Sequence, residues 1–300
     1  MSKEILIIGG TGFIGYHLAK QSLLKKWNVT SVSLNLPKKE RFLKKINYII
    51  CDISKKKNIP KKLKKNYDYI INLGGHVNHK DSKKTYNSHY LGCKNLADFF
   101  LKKKIKSFVQ IGSSSEYGLL KAPHKENLKC KPISIYGKSK LLSSAYLVKL
   151  FKEKKFPVTI LRFYQVYGPK QDLNRFLPVV ISGCLKNKEF FCSHGKQARD
   201  FLHIDDAVEA IFKSLKNKNA EGKIFNIGSG KPIIIKKIIK IIQEKTKGGK
   251  PLFGKIKLRK EESLKSYPDI NESKKKMRWL PKVTFLKGLD STIKSYSNEK

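Results

Sequence analysis

The chain of 300 residues carries 65 lysine and arginine residues against 23 aspartate and glutamate residues, a formal net charge of +42. Only six of the basic residues are arginine and the lysines are spread along the chain, whereas a nucleic-acid reader concentrates its charge and uses arginine, so no specific nucleic-acid partner is expected. No stretch approaches the roughly 18 apolar residues of a membrane span, and the five scattered cysteines predict neither disulfides nor a cysteine metal site, so we expect a cytoplasmic protein without membrane insertion.

Short apolar runs alternate with longer stretches of helical spacing, a pattern typical of βαβ units and a parallel sheet. Helices are predicted to start within the first glycine run, over residues 85–103 and over residues 135–154. The predicted fold class is α/β, a Rossmann doubly wound parallel sheet with a smaller C-terminal substrate-binding region. Strands are predicted at residues 5–8, 29–34, 48–50, 69–73, 108–112 and 158–163.

The regular alternation ends after Gly168-Pro169, and turn signals become frequent. We therefore expect a dinucleotide-binding Rossmann domain over residues 1–167 and a mainly substrate-binding region over residues 168–300. Residues 201–215 have helical spacing, and a segment of about 201–217 is expected to return to the first domain.

The run Gly9-Gly10-Thr11-Gly12-Phe13-Ile14-Gly15 stands between an apolar strand and a helix. Its glycines permit a tight turn, close approach of backbone N–H groups to a pyrophosphate, and close packing of helix on sheet. Because the helix N-terminus then faces the phosphates, Gly9, Gly12, Phe13, Ile14 and Gly15 are predicted to bind a nicotinamide dinucleotide.

The end of the second strand carries Ser33 where NAD enzymes usually carry an acidic residue for the ribose 2′-hydroxyl. Lys38, Lys39 and Arg41 follow, and they offer cations for a 2′-phosphate. This combination favours NADP(H) over NAD(H) as the cofactor.

Tyr136 and Lys140 are four residues apart in a predicted helix, so their side chains share one face. A neighbouring ammonium favours the phenolate, which allows a tyrosine to act as acid or base. A serine cluster from Ser113 to Ser115 follows a predicted strand, at the strand end where ligands bind in open α/β sheets.

With these residues the chain resembles the extended short-chain dehydrogenase/reductases that act on nucleotide sugars, the NAD-dependent epimerase/dehydratase family. The resemblance covers nearly the whole chain, because the motifs occur in the family's order. They are GGTGFIG, the serine run ending in Tyr117-Gly118, YGKSK from Tyr136, RFYQVYGP from Arg162, RDFLHIDD from Arg199 and FNIGSG from Phe225.

The resemblance implies a role for each matching residue. Ser113 would bond the reacting sugar oxygen, Tyr136 would shuttle the proton, and Lys140 would hold the nicotinamide ribose. The remaining implied contacts are Asp52 and Ile53 at the adenine, Leu73, Gly74 and Gly75 at the nicotinamide, and Ser113, Ser114, Gln165, Arg199 and Arg259 on a nucleotide-diphosphate sugar. His89 and Gln165 depart from the family, which commonly has asparagine at both positions.

The resemblance leaves several reactions open. The 4,6-dehydratases place Asp and Glu directly after the catalytic hydroxyl residue, whereas this chain has Ser114 and Ser115 there and Glu116 one step later, on the opposite side of an extended chain. Dehydration therefore ranks third. Reduction of an NDP-4-keto-6-deoxyhexose at C4 ranks first because Ser33 favours NADPH, and UDP-glucose-type 4-epimerisation ranks second.

A non-catalytic cofactor- or RNA-binding protein is the alternative from a different class, and the complete Ser113, Tyr136 and Lys140 set argues against it. His76 and His79 lack a third ligand at useful spacing, so no metal site is expected. The resemblance also implies a homodimer that pairs the helices around residues 85–103 and 135–154.

Overall fold

The structure, a computed structural model, describes residues 2–258 and 262–297. The β-strands are β1 (Glu4–Ile8), β2 (Asn28–Ser33), β3 (Ile46–Ile50), β4 (Tyr69–Asn72), β5 (Ser107–Ser113), β6 (Val158–Phe163), β7 (Gln165–Tyr167), β8 (Glu189–Phe191), β9 (Ala198–His203), β10 (Ile224–Ile227), β11 (Pro232–Ile234), β12 (Lys250–Leu252) and β13 (Lys265–Ser266). The α-helices are α1 (Phe13–Leu24), α2 (Asn58–Lys62), α3 (Ser82–Tyr86), α4 (Gly92–Phe100), α5 (Ile135–Lys154), α6 (Phe176–Leu185), α7 (Ile204–Leu215), α8 (Ile235–Thr246), α9 (Asn271–Met277) and α10 (Phe285–Ser297).

The main sheet is parallel, with strand order β10-β6-β5-β4-β1-β2-β3. The order reverses between β1 and β4, so the loops that follow these two strands part to opposite sides and leave a crevice at their carboxyl ends. The predicted Rossmann fold class is confirmed.

The centre of the main sheet is buried on both faces, as the alternation along β1 shows. Ile5 and Ile7 lie in the core under α1 and α7, whereas Leu6 and Ile8 lie in the core under α4 and α5. A third apolar cluster joins α6, α8 and α10. Strands β7, β9, β11 and β13 form a separate four-stranded sheet, and β8 pairs with β12.

Two segments from the second half of the chain lie with the first half. Helix α7 packs beside α1, and β10 pairs with β6 at the edge of the main sheet. The helix predicted over residues 201–215 begins only at Ile204, because residues 201–203 are the end of β9 and pair with β7. The division into a dinucleotide-binding domain and a substrate-binding region stays a prediction.

The helix predicted over residues 85–103 begins earlier, at Ser82, because the Asp81 carboxylate accepts the backbone N–H of Lys84 and caps it. It runs through α3 and α4 with a π turn, Asn87–Leu91, between them. Helix α5 has the predicted bounds, and the Ser134 hydroxyl caps it by accepting the N–H of Gly137 at 3.1 Å.

Candidate active site

The glycine run forms the turn from β1 into α1. Gly9 has φ +78°, and a Cβ atom there would lie 3.0 Å from the carbonyl carbon of Leu73. A Cβ atom at Gly15 would lie 2.3 Å from the Gly9 oxygen, so α1 can approach the turn this closely only with glycine. Among the described residues, a Cβ atom at Gly12 would have one neighbour within 4 Å, the Gly9 oxygen at 3.3 Å, so this side of the turn is open.

Helix α1 begins at Gly12 without a side-chain cap and without an acidic residue in its first turn. The N–H groups of that turn, including those of Phe13 and Ile14, are therefore available to an anion. The open cradle at Gly12 fits the pyrophosphate of a dinucleotide.

Two further loops predicted to contact the dinucleotide meet the glycine turn. A Cβ atom at Gly74 would lie 2.9 Å from Ile8 and 3.4 Å from Ile53, so Leu73 to Gly75 and Asp52-Ile53 border the same crevice. The Asn72 side chain accepts the N–H of Gly74 at 3.1 Å and donates to Gln110 at 2.8 Å, which fixes the loop after β4. One oxygen of Asp52 accepts the backbone N–H and the hydroxyl of Ser54.

One of the cations expected near the end of β2, Arg41, is bound by other residues of the chain. The Ser33 hydroxyl accepts the N–H of Thr11 at 3.3 Å, which ties β2 to the glycine turn. Arg41 is only 6% exposed, and its guanidinium binds the Asp172 carboxylate at 2.8 Å and the Lys170 carbonyl at 2.6 Å. The Arg41 guanidinium is therefore engaged by Asp172 and Lys170 in the structure, and the preference for NADP(H) stays a prediction.

Ser113 lies at the carboxyl end of β5 and is 7% exposed. Its hydroxyl accepts the N–H of Ser115 at 3.1 Å, while its own backbone N–H donates to Glu116 at 2.9 Å. Ser114–Glu116 form a 3-10 turn, so the expectation of an extended chain here is wrong.

Glu116 is fully buried and its carboxylate is shared among three donors. Besides the Ser113 N–H, it accepts Arg162 Nε at 2.8 Å and the Ser144 hydroxyl at 3.0 Å. The Arg162 guanidinium also donates to the Tyr117 hydroxyl at 3.0 Å. This network anchors the turn that carries Ser113.

The N-terminal turn of α5 packs directly against the serine turn, because a Cβ atom at Gly137 would lie 2.4 Å from the Ser115 carbonyl oxygen. Lys140, 3% exposed, donates from Nζ to the Ile111 carbonyl at 2.6 Å, and Nζ lies 5.9 Å from the centre of the Tyr136 ring. Ser113, Tyr136 and Lys140 are thus brought to one place, the end of β5.

Two imidazoles contact the Tyr136 ring. The His79 ring lies parallel to it, with centroids 4.0 Å apart and planes 9° apart, and the His89 ring meets it edge-on at 4.9 Å. Burial lowers the pKa of His79 to about 4 and that of His89 to about 2, so both rings are neutral near pH 7. No motif indicates that His79 and His89, 10 residues apart along the chain, would flank the same tyrosine.

His89 lies on the π turn and packs flat against Gly75, where a Cβ atom would be 1.9 Å from its ring. Its Nε2 is bonded to the His76 carbonyl at 3.1 Å, so Nε2 carries the proton. The buried Nδ1 atom has no hydrogen-bond partner among the described residues.

Two of the predicted substrate contacts, Arg199 and Gln165, lie on neighbouring strands of the four-stranded sheet. Arg199 on β9 is 8% exposed, and its guanidinium binds Glu262 at 2.7 Å and the Ala198 carbonyl at 2.9 Å. Gln165, on the neighbouring strand β7, is exposed, and Ser114 is partly exposed beside Ser113. Arg259 lies outside the described residues.

Within residues 2–258 and 262–297, no group of three or more His, Cys, Asp or Glu side chains is arranged to hold a metal ion. In the same part of the chain no helix is long and apolar enough to cross a membrane. His79, considered above as a possible ligand, is instead stacked on Tyr136.

Comparison with known proteins gives consistent matches over nearly the whole chain. The sequence model of the NAD dependent epimerase/dehydratase family matches residues 5–228. A Bacillus subtilis protein described as an uncharacterized UDP-glucose epimerase is 28% identical, over 97% of this chain and 96% of its own length.

Solved structures give the same result. The UDP-glucose 4-epimerase of Thermotoga maritima, solved with UDP-glucose, superposes with a TM-score of 0.90 at 25% identity, over 98% of this chain and 99% of that one. The UDP-glucuronic acid 4-epimerase of Bacillus cereus, solved with UDP-glucuronic acid and NAD, gives a TM-score of 0.88 at 25% identity, over 99% of both chains.

Proposed function

The chain belongs to the NAD-dependent epimerase/dehydratase family, and from its site we propose that it is a nucleotide-sugar 4-epimerase. The observation that carries this proposal is the meeting of Ser113, Tyr136 and Lys140 at the end of β5. The similarity to the 4-epimerases of known structure supports the same reaction.

Each of the three residues has a distinct part. The Ser113 hydroxyl already accepts a bond from Ser115, so its proton is free to donate to the sugar oxygen at C4. As a phenolate, Tyr136 takes the proton from the C4 hydroxyl as C4 is oxidised, and the resulting phenol returns the proton to the C4 oxygen as C4 is reduced. Lys140 donates one N–H to the Ile111 carbonyl and keeps two for the nicotinamide ribose.

The family's dinucleotide fits the crevice between β1 and β4. We assign the pyrophosphate to Gly12 and the first turn of α1, the adenosine side to Ser33, Asp52 and Ile53, and the nicotinamide side to the loop Leu73 to Gly75. The bound nicotinamide supplies a reversible hydride acceptor for C4. The chain's own residues hold the sugar, place its C4 oxygen and exclude water.

We propose NAD(H) as the resident cofactor, in place of the NADP(H) that the sequence favours. Arg41 was the only arginine among the cations near Ser33, and its guanidinium is occupied by Asp172. Lys38 and Lys39 remain, both on the protein surface. The relative solved with NAD supports this choice.

Reduction of an NDP-4-keto-6-deoxyhexose by NADPH is the second candidate. It is favoured by Ser33, because no carboxylate at the end of β2 repels a 2′-phosphate. Dehydration is disfavoured because Glu116, the acidic residue nearest in sequence to Ser113, is buried and bound by Arg162.

The deciding experiment is to denature the purified protein and identify the dinucleotide it releases. An epimerase that reuses its cofactor retains NAD, whereas an empty protein that binds and consumes NADPH supports the reductase. UDP-glucose and UDP-galactose should also interconvert, and Tyr136→Phe should lower kcat by about 10²- to 10⁴-fold.

Tyr48→Phe on the edge strand β3 is the matched control, since it removes a phenolic hydroxyl away from the site. Unchanged turnover by Tyr136→Phe would refute the catalytic assignment. RNA binding that survives about 200 mM salt, in a protein without turnover, would support the non-catalytic alternative.

We propose in addition that the diphosphate of the sugar nucleotide is bound by Arg199 and Arg259, with Gln165 and Ser114 bordering the sugar. A guanidinium suits this task through its planar pair of donors. Arg199 must then exchange the Glu262 carboxylate for the diphosphate.

A homodimer through the helices around residues 85–103 and 135–154 is proposed from family analogy and from exposed apolar side chains on this face. Leu142 on α5 is 43% exposed and Leu101, just after α4, is 36% exposed. Sedimentation equilibrium should give twice the chain mass of 34.4 kDa. A monomer at micromolar concentration would contradict the dimer.

A further inference from the structure

The segment that follows β7 crosses to the start of α1, and we call its residues 169–172 the strap. The Pro169 carbonyl accepts the Nε2 N–H of His17 at 2.9 Å, and Lys170 Nζ lies 5.6 Å from the centre of the Tyr16 ring. Tyr16 and His17 lie within the first two turns of α1. The strap therefore contacts the helix whose first turn is assigned to the pyrophosphate of the dinucleotide.

The strap also contacts the segment that follows β2. The Arg41 guanidinium donates to the Lys170 carbonyl at 2.6 Å and to the Asp172 carboxylate at 2.8 Å. The Lys170 ammonium donates to the Glu40 carbonyl at 2.6 Å. This segment leads on from Ser33, at the end of β2, which is assigned to the adenosine side. The strap thus joins the two parts of the crevice that are assigned to the pyrophosphate and to the adenosine.

These contacts hold the strap in one conformation. Lys170 has φ +62°, in the left-handed region that residues other than glycine rarely adopt, and such a conformation persists only where surrounding contacts hold it. The Arg41 guanidinium, unlike a lysine ammonium, donates from one plane to a carbonyl and a carboxylate together. On the other side of the strap, the Tyr296 hydroxyl of α10 donates to the Gln171 carbonyl at 2.6 Å.

We propose that Arg41 and Asp172 are positioning residues for the dinucleotide, whose ion pair keeps the strap fastened and thereby slows release of the cofactor. The inference rests on the proposed function, because an epimerase reuses one dinucleotide over many turnovers. The pair acts through the strap, since it holds the segment after β2 to the start of α1. The Asp172 side chain is 36% exposed, so water reaches the pair and the pair can open without unfolding of the core.

The test measures how fast bound NAD leaves the full-length protein. Protein loaded with NAD is mixed with excess isotopically labelled NAD, and the label on the protein is counted after gel filtration at timed intervals. Arg41→Met and Asp172→Asn should each raise the release rate by about 10- to 100-fold, the range of a charge-assisted hydrogen bond. The double variant should release NAD within about threefold of either single variant, because all three lose the same pair.

Asp68→Asn is the matched control. It breaks the 2.9 Å ion pair between Asp68 and Lys106, at the amino ends of β4 and β5 and so at the opposite edge of the main sheet from the crevice. This variant should leave the release rate within about twofold of the wild type, because the two sites are independent. Thermal melts give a second measurement, in which NAD should raise the midpoint less in both pair variants than in the wild type or in Asp68→Asn.

Three results would overturn the inference. The first is a wild type whose bound NAD exchanges within seconds. The second is faster release in only one of the two pair variants, because an effect of Arg41→Met alone would mean that Arg41 binds the cofactor directly. The third is an unchanged release rate with a lower melting midpoint of the NAD-free variants, which is the result of a purely structural pair.

Failure of the proposed function gives a different pattern, in which UDP-glucose and UDP-galactose do not interconvert. The exchange of labelled NAD needs no turnover, so the release rates of the two pair variants then decide the inference by themselves. NAD is used in place of NADP because it has no 2′-phosphate to which a freed Arg41 could bind.

Discussion

Substitution of Glu116 by glutamine should destabilise the protein strongly although it changes few atoms. The carboxylate is fully buried and accepts bonds from Ser113 N–H, Arg162 Nε and Ser144 Oγ. Glutamine keeps one acceptor oxygen and places an NH₂ group against at least one of these donors. The Arg162 charge, 3% exposed, then has no carboxylate partner.

Breaking a buried ion pair by removing one partner costs about 3–5 kcal/mol. That is a large part of the roughly 5–15 kcal/mol by which domains are stable. At roughly 2–4 °C per kcal/mol for larger domains, the thermal midpoint should fall by roughly 6–20 °C. Urea titration and thermal melts followed by circular dichroism measure both quantities.

Glu153→Gln is the matched control, because Glu153 is 52% exposed and lies 3.7 Å from Lys149; its loss should cost less than about 0.5 kcal/mol. The double variant Glu116→Gln with Arg162→Met should recover part of the loss, since it removes the uncompensated charge. A loss below about 1 kcal/mol for Glu116→Gln alone would refute the argument that this buried pair holds the Ser113 turn.

Three further outcomes are expected. Asp172→Asn frees the guanidinium of Arg41 and should lower Kd for NADP relative to NAD about 10-fold, as measured by calorimetry; an unchanged ratio would place Arg41 away from the ribose. Burial lowers the pKa of His89 to about 2, so as pH falls the unfolded chain binds a proton at this residue before the folded chain does. The free energy of unfolding should therefore fall as pH drops below about 6.5. His89→Asn should reduce the decrease in the urea midpoint between pH 7 and pH 5. Gly12→Ala should weaken dinucleotide binding with little change in stability, whereas Gly15→Ala, whose Cβ would lie 2.6 Å from the Gly10 Cα atom, should weaken both; equal melting losses for the two variants would contradict this distinction.

Local signals predicted the parts of the fold that depend on neighbouring residues. Helix α5 has the predicted bounds because its cap, Ser134, and its apolar face lie within its own sequence. The glycine turn likewise follows from steric requirements within seven residues. Strands β1 to β6 were predicted to within two residues, because each contains a short apolar run, whereas β10, the seventh strand of the main sheet, was not predicted.

Contacts between distant residues were the ones that sequence could not predict. Residues 201–203 have helical spacing but extend as the end of β9, because β7 pairs with them from 36 residues earlier. Glu116 bends into a 3-10 turn toward Arg162, 46 residues away. Arg41 binds Asp172, 131 residues away, so this ion pair had no local signal.

At the candidate site, Tyr136 and Lys140 were found from their spacing, and Ser113 from its place after a predicted strand and from the family resemblance. The roles of all three residues stay a proposal. The surroundings of the tyrosine were not found. His79 comes from a loop without a motif, and only the folded chain stacks its ring on Tyr136.

The contact between His89 and Tyr136 depends on the number of residues in the π turn Asn87–Leu91. A π turn holds one residue more than an α turn. Here that turn carries His89. The His89 carbonyl accepts the Ser143 hydroxyl of α5 at 2.8 Å. Deleting a single residue would restore a regular α turn and remove the local widening of the helix that carries His89. Insertion and deletion at this turn, rather than substitution, are therefore an evolutionary route by which a protein of this fold changes what borders its catalytic tyrosine.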